Sequence, residues 1–295
     1  MKYLQSDRDN MKYILYGNGW MAGLIKDYLR EDAFISNEKT NEVFALDVGF
    51  DVVIDLAAHT NIDWCENNKN QTLQDNVLGA VNLARICKNL NKKYVFFSSG
   101  CIFESKNEND WKDENSQPNP QCFYAEMKWL AERLIQEVNP EALIVRPRLP
   151  ISEKSHPRNT LNKLYGYKKI NDTQESVDVV EDMIPVLIDL IKKNAVGIYH
   201  FANGGTVSPA DLAGLIGNNF FEIRVKEVQD AEFLLEGRAK RVTTYLRSVK
   251  IPCLPHIGSR ILQVCENWKR SHKDCMRISE ASGHGPDSSL TEGNP

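Results

Sequence analysis

Short apolar runs alternate with longer amphipathic segments through the first 150 residues of the chain. The apolar runs predict buried strands, and the segments between them carry apolar residues at helical spacing. The predicted strands are 12–16, 33–36, 43–46, 51–56, 93–97 and 142–145. The predicted helices are 20–30, 70–90 and 121–137. This alternation indicates an α/β fold in which helices cover both faces of a doubly wound parallel sheet.

A glycine-containing turn follows the first predicted strand, with the pattern Gly17-x-Gly19-x-x-Ala22. Gly17 permits a tight turn, Gly19 lets the backbone approach a pyrophosphate, and Ala22 allows close helix packing. An ordinary strand-to-helix turn explains the glycines equally well. A ribose-binding acid is expected about 20 residues later, where the chain reads Ser-Asn-Glu-Lys at 36–39. Lys39 favours NADP as the cofactor, while Glu38 leaves NAD open.

Tyr124 and Lys128 are four residues apart in a predicted helix, so their side chains share one face. A lysine ammonium beside a phenol favours the phenolate, which lets the tyrosine exchange a proton nearer neutral pH. The alternative is a chance pair on a solvated helix.

Two serines and a cysteine follow the predicted strand 93–97. The carboxyl edge of an open α/β sheet is where ligands bind, so Ser98 and Ser99 are candidates for that site. Ser99 could hydrogen-bond a substrate carbonyl. Cys101 could act as an acid or base if a neighbouring cation tunes its thiol. The alternative for Cys101 is a small buried hydrophobic residue.

Composition excludes several classes of partner. The net charge of −4 gives no electrostatic reason to expect nucleic acid or an anionic membrane as a partner. No apolar run is long enough for a transmembrane helix, and the N-terminus lacks the apolar region of a secretory signal. The seven cysteines have no C-x-x-C spacing, so no zinc site is expected and a reducing cytoplasm is favoured.

Taken in order along the chain, these motifs resemble the extended short-chain dehydrogenase/reductase family. Within it, segments 51–66 and 76–88 are most similar to the 4-dehydrorhamnose reductases, and the resemblance covers roughly residues 11–270. It implies an NAD(P)-binding Rossmann fold with a smaller C-terminal substrate lobe. The cofactor-binding residues that it implies are Gly17, Asn18, Gly19, Trp20, Met21, Ala57, Ala58, His59, Asn76, Ser98 and Lys128.

Three further segments resemble the plant and giant-virus enzymes that make UDP-rhamnose. They are Gly-Cys-Ile-Phe at 100–103 and the stretches 146–152 and 157–163. Those enzymes are bifunctional 3,5-epimerase/4-reductases acting on UDP-4-keto-6-deoxyglucose. The resemblance therefore implies a nucleotide-sugar substrate.

The same resemblance implies a role for each candidate residue. Cys101 and Lys163 would form the epimerising acid–base pair, with the base unassigned. Tyr124 would donate a proton to the C4 oxygen, Lys128 would lower the pKa of Tyr124 and hold the nicotinamide ribose, and Ser99 would polarise the carbonyl. The implied substrate-binding residues are Thr60, Arg158, Asn159 and Asn203, with Arg158 pairing a phosphate.

The predicted organisation follows from these assignments. Residues 11–150 form the Rossmann domain, to which 172–200 return, and 151–171 with 201–270 form the substrate lobe. The termini, 1–10 and 271–295, are predicted to be flexible, since 272–295 has almost no large apolar residues. The protein is expected to be a monomer or a homodimer.

Two other functions stay open at this point. The glycine turn is one residue shorter than is usual in the family, and the second and third βα units are abbreviated. A non-catalytic, nucleotide-binding regulatory subunit is therefore one alternative. A 4-keto reductase that is fed by a separate epimerase is the other.

Overall fold

A computed structural model describes residues 11–43, 49–218, 222–224, 239–252 and 254–281 of the chain. Its central sheet contains six strands, β1 (Tyr13–Tyr16), β2 (Ala33–Ser36), β3 (Val52–Asp55), β4 (Lys93–Phe97), β5 (Leu143–Pro147) and β9 (Gly197–Phe201). All pairings are parallel, in the order β2-β1-β3-β4-β5-β9. The predicted doubly wound parallel sheet is confirmed. The predicted strand 43–46 lies outside the described residues except for Val43.

The strand order reverses next to β1, which lies between β2 and β3. Tyr16 at the end of β1 pairs in register with Ser36 of β2 and with Asp55 of β3. The carboxyl ends of these three strands therefore lie level with one another. A reversal of this kind leaves a crevice above the sheet edge, which is the usual ligand site of open α/β folds.

Helices cover both faces of the sheet. One face packs against α1 (Trp20–Leu29) and α7 (Val180–Lys192), and the other against α4 (Ala80–Asn89) and α5 (Phe123–Val138). Before α4 the chain forms α2 (Ile62–Asn67), α3 (Lys69–Leu73) and one π-helical turn, Gln74–Gly79. The predicted helix at 70–90 is therefore present, with this π-helical turn inside it.

A second, smaller core contains the helices α6 (Thr160–Gly166), α8 (Pro209–Ile216) and α9 (Ile257–Ala281). Three short parallel pairs accompany them: β6 (Pro150–Ile151) with β8 (Asp178–Val179), β7 (Lys169–Asn171) with β11 (Glu222–Arg224), and β10 (Asn203–Gly204) with β12 (Leu254–His256). Among the helices that the structure describes, none combines the length and apolar character needed to cross a membrane.

Helix α9 corrects the predicted flexible C-terminus. It continues to Ala281, so residues 271–281 are helical, while 1–10 and 282–295 lie outside the described residues. His272 stacks on Trp268 with ring centroids 4.7 Å apart, and its Nδ1 lies 3.0 Å from Ser155 Oγ. These polar and ring contacts hold the helix onto the lobe beyond residue 270. Because these contacts are made by polar and aromatic groups, the sequence of this segment shows no apolar periodicity that would predict a helix.

A buried charged network lies between β5, α5 and β9. Arg146 donates to both carboxylate oxygens of Glu132, at 2.8 and 2.5 Å, and its Nη1 lies 3.1 Å from His200 Nε2. A guanidinium can only donate, so His200 Nε2 accepts and Nδ1 donates to the Arg247 carbonyl at 3.1 Å. Burial, followed by the charge of Arg146, lowers the pKa of His200 to about 4. The fold therefore requires a neutral His200.

This requirement predicts a pH-dependent loss of stability. The pKa of His200 is lower in the folded state than its ordinary value of 6.5. Its contribution is therefore complete above pH 6.5 and lost as the pH falls towards 4. Glutamine can make the same two hydrogen bonds without titrating. Between pH 6.5 and 4, the free energy of unfolding of the wild type should fall by on the order of 3 kcal/mol more than that of His200→Gln. Urea unfolding of both proteins measures this difference. Parallel stability curves for the two proteins would contradict this role of His200.

Candidate active site

The turn after β1 touches the loop after β3. Gly17 has a φ of +101°, and a Cβ there would lie 2.7 Å from the Ala57 nitrogen. Asp55 fixes this loop because its Oδ1 accepts from the Ala57 N–H at 3.0 Å and its Oδ2 accepts from Tyr94 Oη at 2.7 Å. Burial raises the pKa of the Asp55 carboxyl to about 6. Only glycine fits at position 17, since both the conformation and the contact exclude a side chain.

Two buried polar atoms near this turn have no hydrogen-bond partner among the described residues. They are Nε1 of Trp20, the first residue of α1, and Oγ of Ser98, which follows β4. The amino end of α1 adds free backbone N–H groups and the positive end of the helix dipole. These groups, with the close glycine turn, fit a dinucleotide at the sheet edge. Met21 instead packs against the core beneath the sheet.

The loop at 57–60 is held by the following helices. Asn76 is fully buried, accepts from the His59 N–H at 2.8 Å and donates to the His59 carbonyl at 2.9 Å. The His59 ring stacks on Trp64 and its Nε2 lies 2.8 Å from Asp75 Oδ2. The prediction that Asn76 contacts a cofactor is therefore corrected, because its side-chain amide hydrogen-bonds the backbone of the loop at both its oxygen and its nitrogen. Ala57, Ala58 and Thr60 lie in the loop that follows β3, at the carboxyl edge of the sheet, and their contacts with ligands stay predictions.

Ser99 and Tyr124 lie together at the sheet edge. The Ser99 hydroxyl is close enough to the Tyr124 phenol to favour its ionised form, and it accepts from the Cys101 N–H at 3.1 Å. Burial raises the pKa of Tyr124 above its ordinary value, and the neighbouring Cys101 raises it further. The phenol therefore holds its proton in the resting protein and can act as an acid.

Lys128 lies below this pair. Its Nζ donates to the Phe97 carbonyl at 2.8 Å and stands 4.7 Å from the centre of the Phe96 ring. Burial lowers the pKa of Lys128 to about 8, against the opposing effect of Asp55. The expectation that Lys128 lowers the pKa of Tyr124 stays a prediction, since burial and Cys101 dominate the pKa of the phenol in the resting protein.

Cys101 is half-buried beside Tyr124, and its partner is an arginine. Arg148 Nη1 donates to Cys101 Sγ at 3.1 Å. Lys163, predicted to pair with Cys101, lies on α6, where desolvation and then Arg158 lower the pKa of its ammonium. The Lys163 side chain is nonetheless exposed to solvent. The structure thus places Arg148 at the sulfur, and the pairing of Cys101 with Lys163 stays a prediction.

Arg158 lies over the glycine turn. Its Nη1 is 3.1 Å from the position that a Cβ of Gly19 would occupy. Nearby, His156 stacks on Trp20 with centroids 6.1 Å apart. The sequence places Arg158 at a substrate phosphate, whereas the structure places it at the turn predicted to hold the cofactor pyrophosphate.

Two predicted substrate-binding residues have structural roles instead. Asn159 is fully buried, caps α6 by accepting from the Leu161 N–H and donates to the Ser152 and Lys154 carbonyls. Asn203 is also buried, donates to Asp182 and to the Pro255 carbonyl, and accepts from the Val179 N–H. Both predictions are corrected, because neither amide has surface or donors left for a ligand.

The segment after β2, where the sequence predicts the choice between NADP and NAD, carries the negative Glu38 and the positive Lys39. Glu38 is exposed, and its Oε2 lies 3.4 Å from Tyr16 Oη, while Lys39 pairs with Glu42 at 3.3 Å. Asn18 reaches the same segment through Asn37, at 3.4 Å. An exposed ion pair of this kind is worth less than about 1 kcal/mol, so a phosphate could displace Glu42 from Lys39.

Sequence reasoning missed the charged residues that hold the site together. Both oxygens of Asp63 accept from Arg241, at 2.9 and 2.7 Å, and Glu66 accepts from the Phe123 N–H at 2.7 Å. The resemblance included Asp63-Trp-Cys-Glu66 and Arg146-x-Arg148 without giving either a role. Their partners lie far away in the sequence, so local spacing held no signal for them.

The fold and these contacts define a Rossmann-like protein with a serine, tyrosine and lysine at its sheet edge. The family model described as the RmlD substrate-binding domain matches residues 27–243. The chain therefore belongs to this family.

Relatives agree with this assignment. A trifunctional UDP-glucose 4,6-dehydratase/UDP-4-keto-6-deoxy-D-glucose 3,5-epimerase/UDP-4-keto-L-rhamnose-reductase of Arabidopsis thaliana is 29% identical over 260 residues, which cover 79% of this chain. The chain spans only 37% of that relative's length.

Solved structures are similar as well. The UDP-rhamnose synthase of Acanthamoeba polyphaga mimivirus has a TM-score of 0.78 at 26% identity, covering 88% of this chain and 99% of that one. The dTDP-4-dehydrorhamnose reductase of Bacillus anthracis, in complex with NADP, has a TM-score of 0.72 at 19% identity, covering 90% and 99%. The second similarity concerns the fold alone.

The glycine turn gives a test with a matched control. Gly17→Ala forces a side chain onto Ala57 at positive φ, so it should reduce the free energy of unfolding by about 1–3 kcal/mol. Gly23→Ala, in the same turn-and-helix unit, meets nothing within 4 Å. It should be neutral or stabilise by up to about 1 kcal/mol, because alanine favours helix. Urea unfolding measures both, and equal stabilities would contradict the packing at Gly17.

Proposed function

We propose that this protein reduces the 4-keto group of a nucleotide-linked 4-keto-6-deoxy sugar and epimerises its C3 and C5 in the same site. NADPH is the proposed reductant, with NADH as the alternative, and UDP the proposed nucleotide. The observation that carries the reductase is the proximity of the Ser99 hydroxyl and the Tyr124 phenol at the carboxyl edge of the sheet, with Lys128 one helical turn beyond Tyr124. It combines a proton donor and a polarising hydroxyl at the sheet edge where a nicotinamide fits.

The residues at the edge are suited to hold the cofactor. The glycine turn with Arg158 would take the pyrophosphate, and Ser98 Oγ and Trp20 Nε1 are unsatisfied polar atoms for it to meet. Lys128 uses one of its three N–H donors on the Phe97 carbonyl, which leaves two for ribose hydroxyls. When bound, the nicotinamide supplies the hydride.

Tyr124 would supply the matching proton. Its phenol keeps its proton at neutral pH, because burial raises its pKa. As a hydride reaches C4, negative charge develops on the C4 oxygen, which the Ser99 hydroxyl stabilises and Tyr124 protonates. The carbonyl thus becomes an alcohol, and the tyrosine recovers its proton from solvent.

Epimerisation needs a base and an acid around the same ring. The C4 carbonyl acidifies the protons at C3 and C5, since each carbanion delocalises into an enolate. Cys101 is half-buried and close to Tyr124, and Lys163 on α6 is proposed as the other member of the acid–base pair. The similarity to the trifunctional relative of Arabidopsis thaliana, whose name includes a 3,5-epimerase, supports this second activity.

The proposal is tested by two readouts in one reaction. UDP-4-keto-6-deoxyglucose and NADPH in deuterium oxide should give loss of nicotinamide absorbance and deuterium at C3 and C5. Tyr124→Phe should slow NADPH oxidation by at least about 100-fold, the usual contribution of a general acid. Cys101→Ser should abolish deuterium uptake.

Controls and contrary results are defined by the same assay. Cys275→Ser changes an exposed cysteine on α9 and should leave both readouts unchanged. No NADPH oxidation with UDP, dTDP or GDP sugars would refute the reductase. Oxidation without deuterium at C3 and C5 would leave a reductase alone.

A further inference from the structure

Arg148 is a buried cation whose donors reach the proposed epimerase sulfur. It is only 5% exposed. Its Nη1 donates to Cys101 Sγ at 3.1 Å, and its Nη2 donates to the Val242 carbonyl at 2.7 Å and to Glu175. Its backbone N–H donates to Asp178 Oδ2 at 2.5 Å. Three separate segments of chain therefore contact this guanidinium.

The direction of the hydrogen bond matters chemically. A guanidinium carries five donors and no acceptor, so Cys101 Sγ must be the acceptor in this contact. A thiolate is a far better acceptor of a charged donor than a thiol is, and a nearby cation favours the charged form of the sulfur. The contact is thus stronger when Cys101 has lost its proton.

The backbone around both residues is shaped to allow this approach. A Cβ on Gly100 would lie 3.2 Å from Arg148 Cβ and 3.4 Å from the Pro147 carbonyl oxygen, so a side chain there would crowd the arginine. Leu149, the residue after the arginine, has a φ of +43°, a conformation that costs energy for any residue except glycine. The strand β5 ends in a strained turn that aims Arg148 back across Gly100.

The other groups around Cys101 do not supply this charge. Tyr124 and Cys122 face it, and burial raises the pKa of both, with Cys122 at about 11. They are therefore neutral near pH 7. Glu175, on the far side of Arg148, is an anion that partly offsets the cation.

We propose that Arg148 is a positioning residue that holds Cys101 as a thiolate. The negative charge of Glu175 reduces the positive potential that Arg148 produces at the sulfur. On this basis Cys101 is the base that removes the C3 and C5 protons. The proton passes from carbon to sulfur, and the electron pair of the C–H bond moves into the enolate. This role rests on the proposed epimerisation, but the Arg148–Cys101 contact exists without it.

Thiol alkylation of the resting protein tests the contact directly. Iodoacetamide labelling of Cys101 is followed by mass spectrometry of its peptide between pH 6 and 10, with no substrate or cofactor. Arg148→Met should slow labelling at pH 7 by about tenfold, and the difference should vanish near pH 10, where an ordinary thiol is ionised. Glu175→Gln should have the opposite effect and speed labelling at pH 6, since it leaves Arg148 uncompensated.

Arg146→Met is the matched control. It removes a buried arginine two residues away, together with its own carboxylate pairing to Glu132, but it makes no contact with Cys101. It should leave labelling of Cys101 within about twofold of wild type, as expected for a site without a shared partner. Thermal unfolding checks that each variant is folded.

The outcomes separate the two proposals. Equal labelling of wild type and Arg148→Met at pH 7, or a ratio that is the same at every pH, would overturn the role of Arg148. If Arg148→Met does not fold, slower labelling in Glu175→Gln would overturn it instead. A pH-dependent effect on labelling without deuterium uptake at C3 and C5 would keep the Arg148–Cys101 couple and refute the epimerase.

Discussion

Two buried arginines at the end of β5 connect the elements that form the site. Arg146 points towards α5 and β9 through Glu132 and His200, and Arg148 reaches Glu175, the Val242 carbonyl and Cys101. Buried ion pairs add little net stability, because desolvation offsets most of the attraction. They are nonetheless costly to break, since one partner is then left charged and unpaired. Their contribution here is to fix the positions of the groups around Cys101. An apolar core of equal volume would not fix these positions.

The same burial decides which groups carry charge at the site. Burial raises the pKa of Asp55 to about 6 and lowers that of Lys128 to about 8, so both titrate closer to neutrality than usual. Burial also keeps Tyr124 and Cys122 protonated. An arginine keeps its charge under such desolvation, whereas a lysine does not. This explains why the cation at Cys101 is an arginine.

The sequence predicted the features that depend on local pattern. Apolar periodicity gave every strand of the main sheet except Gly197–Phe201, and the order of motifs gave the family. Asn76, Asn159 and Asn203 were misjudged, because an amide that caps or bridges backbone is identical in sequence to one that binds a ligand. The Arg148–Cys101 contact joins residues 47 positions apart. Such pairs follow from strand order and are not visible in spacing.

One cation stands over the glycine turn after β1. Arg158 belongs to the substrate lobe, yet it stands over Gly19, and its charge contributes to lowering the pKa of Lys163. An anion bound at the turn would offset the charge of Arg158 and so relieve its repulsion of the Lys163 ammonium. Lys163 would then be more fully protonated when a phosphate is present than when it is absent. In the proposed reaction Arg158 would hold the pyrophosphate and Lys163 would be the acid, so occupancy of the glycine turn would reach the epimerising group through this one charge.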